Sequence, residues 1–317
     1  MKWPDDFINK VICGDSLEIL KKIPDHSIDL CITSPPYWGL RDYGLGPDQL
    51  GYEPTPELYI DHLTEIFNEV KRTLKKEGTF WLNIFDTYSG SGKGYGDKNP
   101  DPKYKKGGRQ RTIKPMKINI RSKSLCMIPE RLAWSLIKNN WILRNKIPWI
   151  KPNCMPFPGK DRYTNKWEYV FLFVKSRKYY FDLDSVREAH LYDGRKDTIY
   201  KGTARDQKIG NIGTHERWRN KKGKNPGDIW IVPTQPCPVK NLHYAAFPEK
   251  LCERAILPGC PKNGIVLDPF AGIGTSGKVA KELGRRFIMI DIKKEYCEAA
   301  EKEIKKVGFQ MKLKEGL

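Results

Sequence analysis

The sequence predicts an α/β protein built around one mostly parallel β-sheet. Short segments rich in Val, Ile and Phe alternate with segments that have helical spacing, which is typical of strand–helix–strand units. Several of the strands end in an acidic residue, a proline pair or a glycine turn, where parallel sheets usually carry their sites. The 317 residues suit one large domain, or a core with one inserted subdomain.

The first two predicted strands each lead into a polar turn. Residues 11–13 form a short strand before Gly14-Asp15, and residues 27–33 form an apolar strand before Ser34-Pro35-Pro36-Tyr37. Two consecutive prolines cannot continue a central strand, so the chain must turn there.

Thr55-Pro56-Glu57 predicts the start of a helix, with an N-cap, a proline at the first position and an acid in the first turn. We expect this helix to end at Gly78 and residues 79–85 to form a buried strand. The remaining predicted elements are helices at 129–139, 248–257, 276–283 and 293–306, with strands at 141–150, 168–175, 264–268 and 286–291.

The net charge of +19 is concentrated in two stretches. Residues 93–124 carry a net +9 and residues 187–225 a net +6, and both contain aromatic and glycine residues. Solvated loops would explain a charge run, but basic side chains interleaved with aromatic rings favour a nucleic-acid partner. We expect residues 87–124 to be a mobile basic loop.

Other protein classes fit the composition poorly. The apolar run at 169–174 is far shorter than the ~20 residues of a membrane span, and the N-terminus lacks the apolar core of a signal peptide. The eight cysteines are scattered, with no CxxC pair, so neither a disulfide framework nor a structural metal is expected. We therefore expect a soluble, cytoplasmic protein.

A glycine turn follows the strand that ends at Asp268, in the segment Leu267 to Gly277. The next predicted strand ends at Asp291, where a carboxylate can accept both ribose hydroxyls of a nucleoside. The turn lacks the GK[ST] of a phosphate-binding loop. The two features together predict a nucleoside cofactor, although the turn alone could be an ordinary β–α connection.

Ser34 to Tyr37 form the second candidate site. The stiff proline pair would hold the Ser34 side chain and the Pro35 carbonyl towards one cleft, where both can accept hydrogen bonds from an exocyclic amine. Tyr37 can stack on the ring that carries the amine. A purely structural turn is the alternative.

With these motifs, the chain resembles the circularly permuted beta group of DNA amino-methyltransferases: the catalytic motif comes first and the cofactor glycine motif last. Gly14-Asp15, residues 147–153 and residues 243–248 extend the resemblance over nearly the whole chain. It implies a Rossmann-like S-adenosylmethionine-dependent methyltransferase fold with a target-recognition insert. It implies catalytic residues Ser34, Pro35, Pro36 and Tyr37, and cofactor-binding residues Asp15, Thr33, His243, Phe247, Asp268, Pro269, Phe270, Ala271, Gly272, Gly274, Thr275, Ser276 and Asp291.

The resemblance also implies a reaction and its partners. Ser-Pro-Pro-Tyr accompanies methylation of cytosine N4, and Asp-Pro-Pro-Tyr that of adenine N6, so Ser34 favours N4 of cytosine in duplex DNA. The target base would be flipped into the site. We expect a restriction–modification role with a cognate restriction endonuclease, and a monomer or homodimer. The catalytic domain would comprise 1–175 and 227–317, with 176–226 as target-recognition region.

Alternatives stay open at this point. They are adenine-N6 methylation on the same scaffold, a catalytically idle DNA-binding regulator, and an RNA target. Carbon-5 methylation of cytosine needs an activated cysteine. Cys237 lies between prolines, far in the chain from Ser34, and is expected to be an ordinary loop residue. Trp38 could line a base pocket or cover the core, and Asp86 is expected to end its strand.

Overall fold

The computed structural model describes residues 1–40, 45–46, 49–90, 119–190, 221–236 and 247–315. These ranges contain the strands β1 (Lys10–Cys13), β2 (Ile28–Thr33), β3 (Leu74–Ile84), β4 (Ile142–Ile150), β5 (Trp167–Val174), β6 (Trp230–Ile231), β7 (Ile265–Asp268) and β8 (Arg286–Asp291). They also contain the helices α1 (Ser16–Leu20), α2 (Pro56–Thr73), α3 (Ile128–Lys138), α4 (Glu249–Gly259), α5 (Thr275–Glu282) and α6 (Lys294–Glu315).

The strands form one sheet in the order β1-β8-β7-β2-β3-β5-β4-β6. The pairings from β1 across to β3 are parallel, β5 is antiparallel to both β3 and β4, and β6 is parallel to β4. The strand β1 pairs with β8, which is the last strand of the described ranges. The predicted α/β class with a mostly parallel sheet is confirmed.

Each face of the sheet is covered by its own hydrophobic core. Side chains of α1, α2 and α3 pack in one core, and those of α4, α5 and α6 in the other. Successive residues of a strand alternate between them: on β5, Phe171 and Phe173 enter the first core, whereas Val170 and Leu172 enter the second. A sheet covered on both faces explains the continuous apolar runs in the sequence.

The centre of the sheet contains a topological switch. The chain leaves β2 through α2 on one face, and it leaves the neighbouring β7 through α5 on the other face. The two connections diverge at the carboxyl ends of the strands and leave a crevice between them. Ser34 follows β2 and Phe270 follows β7, so both residues lie at this crevice.

Helix α2 begins as predicted but ends earlier. The Thr55 side chain accepts a hydrogen bond from the Leu58 amide (3.2 Å) and caps the helix. The predicted end at Gly78 is wrong: the helix ends at Thr73, because Leu74 already pairs with Ile28 on β2. Gly78 lies within β3, where a Cβ would stand 3.1 Å from two backbone carbonyl oxygens, which is tighter than most Cβ contacts.

The two ends of the predicted mobile loop are paired with each other. The Ser89 amide donates to the Ser124 carbonyl (2.8 Å), and the Cys126 amide donates to the Thr87 carbonyl (2.8 Å). These backbone hydrogen bonds join the two described ends of the loop, and the mobility of the loop stays a prediction. Residues 91–118, with most of the basic stretch, lie outside the described residues.

The first residues of the predicted target-recognition region are hydrogen-bonded to the catalytic-domain sheet. The Tyr180 amide donates to the Glu77 carbonyl (2.9 Å), and Glu188 and Lys224 exchange two backbone hydrogen bonds (2.8 and 3.1 Å). Residues 191–220 lie outside the described residues, so the boundaries of this region stay a prediction.

Within the described ranges, no helix is long and apolar enough to cross a membrane. In the same part of the chain, no group of three or more His, Cys, Asp or Glu side chains could hold a metal ion. The seven cysteines described there are free thiols.

Candidate active site

A cleft of about 500 Å³ opens at the carboxyl edge of the sheet, at the topological switch. Its walls come from the ends of β1, β2 and β8, from the glycine turn after β7, and from the segment that leads into α2. The lining residues are Asp15, Ser16, Leu17, Ser34, Pro36, Leu45, Gln49, Leu50, Glu53, His62, Glu65, Ile66, Phe270, Gly272, Asp291, Ile292, Lys293 and Tyr296.

One end of the cleft has the features of a nucleoside site. The Asp291 carboxylate accepts hydrogen bonds from the Gly272 and Lys293 amides (2.9 Å each), and burial raises its pKa to about 6. Asp15, which caps α1 through the Glu18 amide (3.0 Å), faces the same space. Carboxylates beside the apolar side chains Leu17, Phe270, Ile292 and Tyr296 suit ribose hydroxyls and a flat base.

Asp268 does not line the cleft. Its buried carboxylate accepts hydrogen bonds from the Thr33 and Ser276 hydroxyls (2.6 Å each) and from the Phe270 amide (3.1 Å). Burial raises its pKa to about 6, against the opposing effect of these hydrogen bonds. Asp268, Thr33 and Ser276 therefore join β7, β2 and α5 beneath the turn.

The other predicted residues of the glycine turn shape its backbone. The Pro269 carbonyl accepts a hydrogen bond from the Ser16 hydroxyl (2.5 Å), and the Ala271 amide donates to the Ile290 carbonyl (2.9 Å). Gly274 has φ 77°, and a Cβ there would stand 2.7 Å from Ala300. Thr275 is the first residue of α5. Only Phe270 and Gly272 of the turn line the cleft.

The predicted residues that precede α4 are only partly described. Phe247 is half-buried and packs against the second core rather than lining the cleft. His243 and Cys237 lie outside the described residues.

At the other end of the cleft, the predicted catalytic motif, Ser34 to Tyr37, joins a polar network. The Ser34 hydroxyl lies 3.3 Å from both the Tyr37 hydroxyl and Asn83 Oδ1. Asn83 Nδ2 donates to Glu168 Oε2 (3.1 Å) and to the Tyr169 carbonyl (2.9 Å). These two acceptors fix the orientation of the amide, so its Oδ1 faces the two hydroxyls.

The direction of each hydrogen bond then follows. The Tyr37 hydroxyl lies 2.7 Å from Glu168 Oε2 and 3.0 Å from Asn83 Oδ1, and its one proton goes to the nearer, charged acceptor. Ser34 donates to Asn83 Oδ1 or to the Tyr37 oxygen. The lone pairs of the Ser34 hydroxyl are left for a donor in the cleft.

Lys151 completes the network with a charge. Its ammonium donates to Glu168 Oε1, and both side chains are largely buried. The ammonium also lies 4.5 Å from the ring centroid of Trp149. A buried carboxylate is stable only when it is paired and hydrogen-bonded, and Glu168 has both kinds of partner.

The proline turn is held from outside the motif. The Tyr59 hydroxyl of α2 donates to the Pro36 carbonyl (2.7 Å), and Pro35 is buried. Gly51 packs against the proline turn with φ 93°, and a Cβ at this position would stand 3.3 Å from the Tyr37 carbonyl oxygen. The orientation of Ser34 therefore depends on α2 as well as on the prolines.

Sequence reasoning gave no site role to three members of the network, Asn83, Glu168 and Lys151, although Lys151 lies in the segment 147–153 that extends the family resemblance. An asparagine within the apolar strand 79–85 is the signal that could have found Asn83, because a buried amide needs hydrogen-bond partners.

The structure also decides the expectations for Trp38 and Asp86. Trp38 is buried in the core and donates to the Glu53 carbonyl (2.9 Å), and Asp86 caps α3 by accepting the Met127 and Ile128 amides.

Comparison with known proteins identifies the family of the chain. Residues 28–302 match the model of the N6_N4_Mtase family, described as DNA methylase. The chain belongs to this DNA methylase family. It is 38% identical over 296 residues to the type II methyltransferase M.SmaI of Serratia marcescens, a match that covers 93% of this chain and 90% of that relative. It is 36% identical over 288 residues to M.Cfr9I of Citrobacter freundii, covering 90% and 84%.

Solved structures with the same fold include the PvuII DNA methyltransferase, titled cytosine-N4-specific, with a TM-score of 0.61 and 20% identity. That match covers 94% of this chain and 89% of the other. The protein TTHA0409 of Thermus thermophilus, solved with S-adenosyl-L-methionine, has a TM-score of 0.57 at 22% identity and covers 94% of each chain. The acid-lined end of the cleft in this DNA methylase suits the adenosine part of that cofactor.

Proposed function

We propose that this DNA methylase transfers a methyl group to the N4 amine of cytosine in a specific duplex sequence, as the modification enzyme of a restriction–modification system. The observation that carries the proposal is the Ser34 hydroxyl, whose proton is directed to Asn83 Oδ1 or to the Tyr37 oxygen, so that its lone pairs face the cleft. The type II methyltransferases among the relatives support the biological role.

S-adenosylmethionine supplies an electrophilic methyl group on a sulfonium. Asp291 and Asp15 would accept hydrogen bonds from the nucleoside, and the side chains of Leu17 and Tyr296 would enclose the base. This end of the cleft therefore sets the position from which the methyl group is delivered. Positioning of the two reactants accounts for much of the rate of such a transfer.

At the other end of the cleft, Ser34 and the Pro35 carbonyl would accept the two hydrogens of the target amine. The lone pair of that amine is delocalised into the ring, and these hydrogen bonds favour the tetrahedral nitrogen on which the lone pair is localised. Serine is not a base near neutral pH, so the proton leaves after transfer, and no covalent enzyme intermediate is needed. The target base must leave the duplex to reach Ser34 in the cleft.

Cytosine is favoured over adenine because Ser34 stands where adenine-N6 enzymes carry aspartate. The PvuII enzyme, titled cytosine-N4-specific, is an example of this reaction on the same fold. The adenine N6 amine also presents two hydrogens, so methylation of adenine N6 is the second candidate.

The roles of the remaining residues are part of the proposal. Thr33, Asp268, Pro269, Ala271, Gly274, Thr275 and Ser276 would bind the cofactor indirectly by holding the turn. His243 and Phe247 are proposed to contact its methionine part. Residues 176–226 are proposed as the target-recognition region, and the basic residues of 93–124 would contact the DNA backbone.

Mass spectrometry of nucleosides tests the proposal. DNA from a host that lacks methylases is treated with the protein and S-adenosylmethionine. N4-methylcytosine is expected. N6-methyladenine would reject cytosine as the target, and unmodified DNA bound by a cofactor-loaded protein would favour an idle regulator.

A further inference from the structure

A loop between β4 and β5, residues 152–166, emerges next to the catalytic motif. The Lys151 amide donates to the Lys166 carbonyl (2.7 Å) and closes the base of the loop. Because β5 is antiparallel to β3, the loop leaves the sheet at the same edge as Ser34. Lys151 directly precedes the loop, and Glu168 is the second residue of β5. Both belong to the network that holds Tyr37.

Contacts with neighbouring segments hold the loop in shape. The Arg162 guanidinium lies between the rings of Tyr88 and Phe157, 4.1 and 3.8 Å from their centroids. Asp161 pairs with Lys123 (2.8 Å), and Asn153 Oδ1 accepts the Thr234 amide (2.8 Å). Prolines at 156 and 158 further restrict the backbone. These contacts give the loop a defined conformation. We call residues 152–166 the platform.

Two large side chains extend from this platform into solvent. Tyr163 is 96% exposed and Met155 is 88% exposed, which is far more than packing within the fold would leave. The same loop carries the basic residues Lys160, Arg162 and Lys166, whereas its one acid, Asp161, is paired with Lys123. The exposed Tyr163 and Met155 side chains lie on a basic loop at the edge of the sheet that carries Ser34. Basic residues can contact DNA phosphates, and exposed apolar side chains can insert between the bases of an opened duplex.

The inference rests on the proposed function, because it concerns how the target base leaves the duplex. We propose that Tyr163 and Met155 enter the duplex at the position that the target base vacates. A flipped base leaves its neighbours unstacked, and an inserted ring or thioether replaces part of the lost stacking. The loop would thus keep the base out of the helix while Ser34 and Tyr37 hold it.

The test compares a paired with a mispaired target. Sequencing of plasmid DNA treated with the wild-type protein identifies the site. Two short duplexes then carry that site, one fully paired and one with a mismatch opposite the target base. For the double variant Tyr163→Ala, Met155→Ala we expect kcat/KM about 10- to 100-fold lower on the paired duplex and close to wild type on the mismatched one.

Two controls accompany the double variant. Tyr163→Phe keeps the ring and should retain activity on both duplexes. Trp134→Ala removes an exposed aromatic side chain (59%) on α3, outside the loop, and should leave both rates unchanged. Because both replaced side chains lie in solvent, the double variant should unfold at the wild-type temperature and bind S-adenosylmethionine normally.

Equal losses on the two duplexes, or no loss on the paired one, would overturn the proposal. A changed sedimentation coefficient of the double variant would instead assign the exposed side chains to an interface between copies of this chain. Methyl incorporation is counted without regard to the base that receives it. An N6-methyladenine product would therefore reject the proposed target base and still leave the ratio between the duplexes readable.

Discussion

The Tyr37 hydroxyl lies 2.7 Å from Glu168 Oε2, although 131 positions separate the two residues in the chain. This hydrogen bond joins the loop after β2 to the start of β5, across β3. Asn83, on β3 itself, contacts both residues (3.0 and 3.1 Å). The segment from Ser34 to Tyr37, the proposed catalytic motif, is therefore held by β2, β3 and β5 as well as by its own prolines.

The first prediction concerns the charge balance of this network. Glu168→Gln leaves the Lys151 ammonium buried without its counter-charge, which should lower the free energy of unfolding by about 3 kcal/mol. Adding Lys151→Met removes the stranded charge and should restore most of that loss. Urea unfolding of the two variants measures both effects. A double variant as unstable as Glu168→Gln would show that the stranded Lys151 charge is not the cause of the loss.

The second prediction separates catalysis from cofactor binding at Ser34. Ser34→Ala removes the acceptor for the target amine and should lower kcat about 100-fold or more, since one hydrogen bond is lost where charge changes. The affinity for S-adenosylmethionine, measured by calorimetry, should stay near the wild-type value. Thr64→Ser, a hydroxyl change on α2 outside the cleft lining, is the control. Parallel loss of turnover and cofactor affinity would contradict the assigned role.

The third prediction is a pH dependence of cofactor binding. Burial raises the pKa of Asp291 to about 6, so the carboxylate becomes protonated as the pH falls below that value. The protonated form accepts hydrogen bonds from ribose less well, and the dissociation constant should rise about tenfold between pH 8 and pH 5. Asp291→Asn should bind weakly at pH 8 and show a flatter profile, whereas Asp25→Asn, on an exposed acid, should follow the wild type. Identical profiles for wild type and Asp291→Asn would exclude Asp291.

The fourth prediction concerns stability and Asp268. Its pKa is raised from 3.8 to about 6 by burial, so the folded protein takes up a proton that the unfolded chain does not bind. This contribution to stability is fully present below pH 3.8 and is lost as the pH rises through about 6. Asp268→Asn cannot titrate, so the wild type should gain stability relative to the variant between pH 8 and pH 5. Unfolding temperatures at the two pH values check the sign, and a constant difference would contradict it.

The fifth prediction concerns the first basic stretch. Lys105→Glu together with Lys106→Glu should weaken binding to all duplexes alike, because phosphate contacts carry no sequence information. The slope of log affinity against log salt should become shallower by about 0.9 for each phosphate that the variant no longer neutralises. Fluorescence titrations at several salt concentrations measure this slope. Weaker binding to one duplex sequence alone would instead assign the stretch to sequence recognition.

Local patterns in the chain predicted the parts of the fold that depend on neighbours in sequence. The start of α2 is one case, since Thr55 and Pro56 cap the helix whatever lies beyond it. The end of the same helix was missed because it is set by the pairing of Leu74 with Ile28, a contact between distant segments. The same distinction separates Ser34, predicted from its motif, from Asn83, whose hydrogen bonds reach Tyr37 and Glu168 in distant parts of the chain.

The sequence by itself determined the α/β class, the order of the two motifs and the residues at the strand ends, because each depends on short spacings along the chain. Only the tertiary structure decided what those residues face. Asp291 lines the cleft whereas Asp268 lies beneath the turn, although both end a strand and both have raised pKa values. Their surroundings come from β2, α5 and the glycine turn, and the register of the sheet brings those partners together.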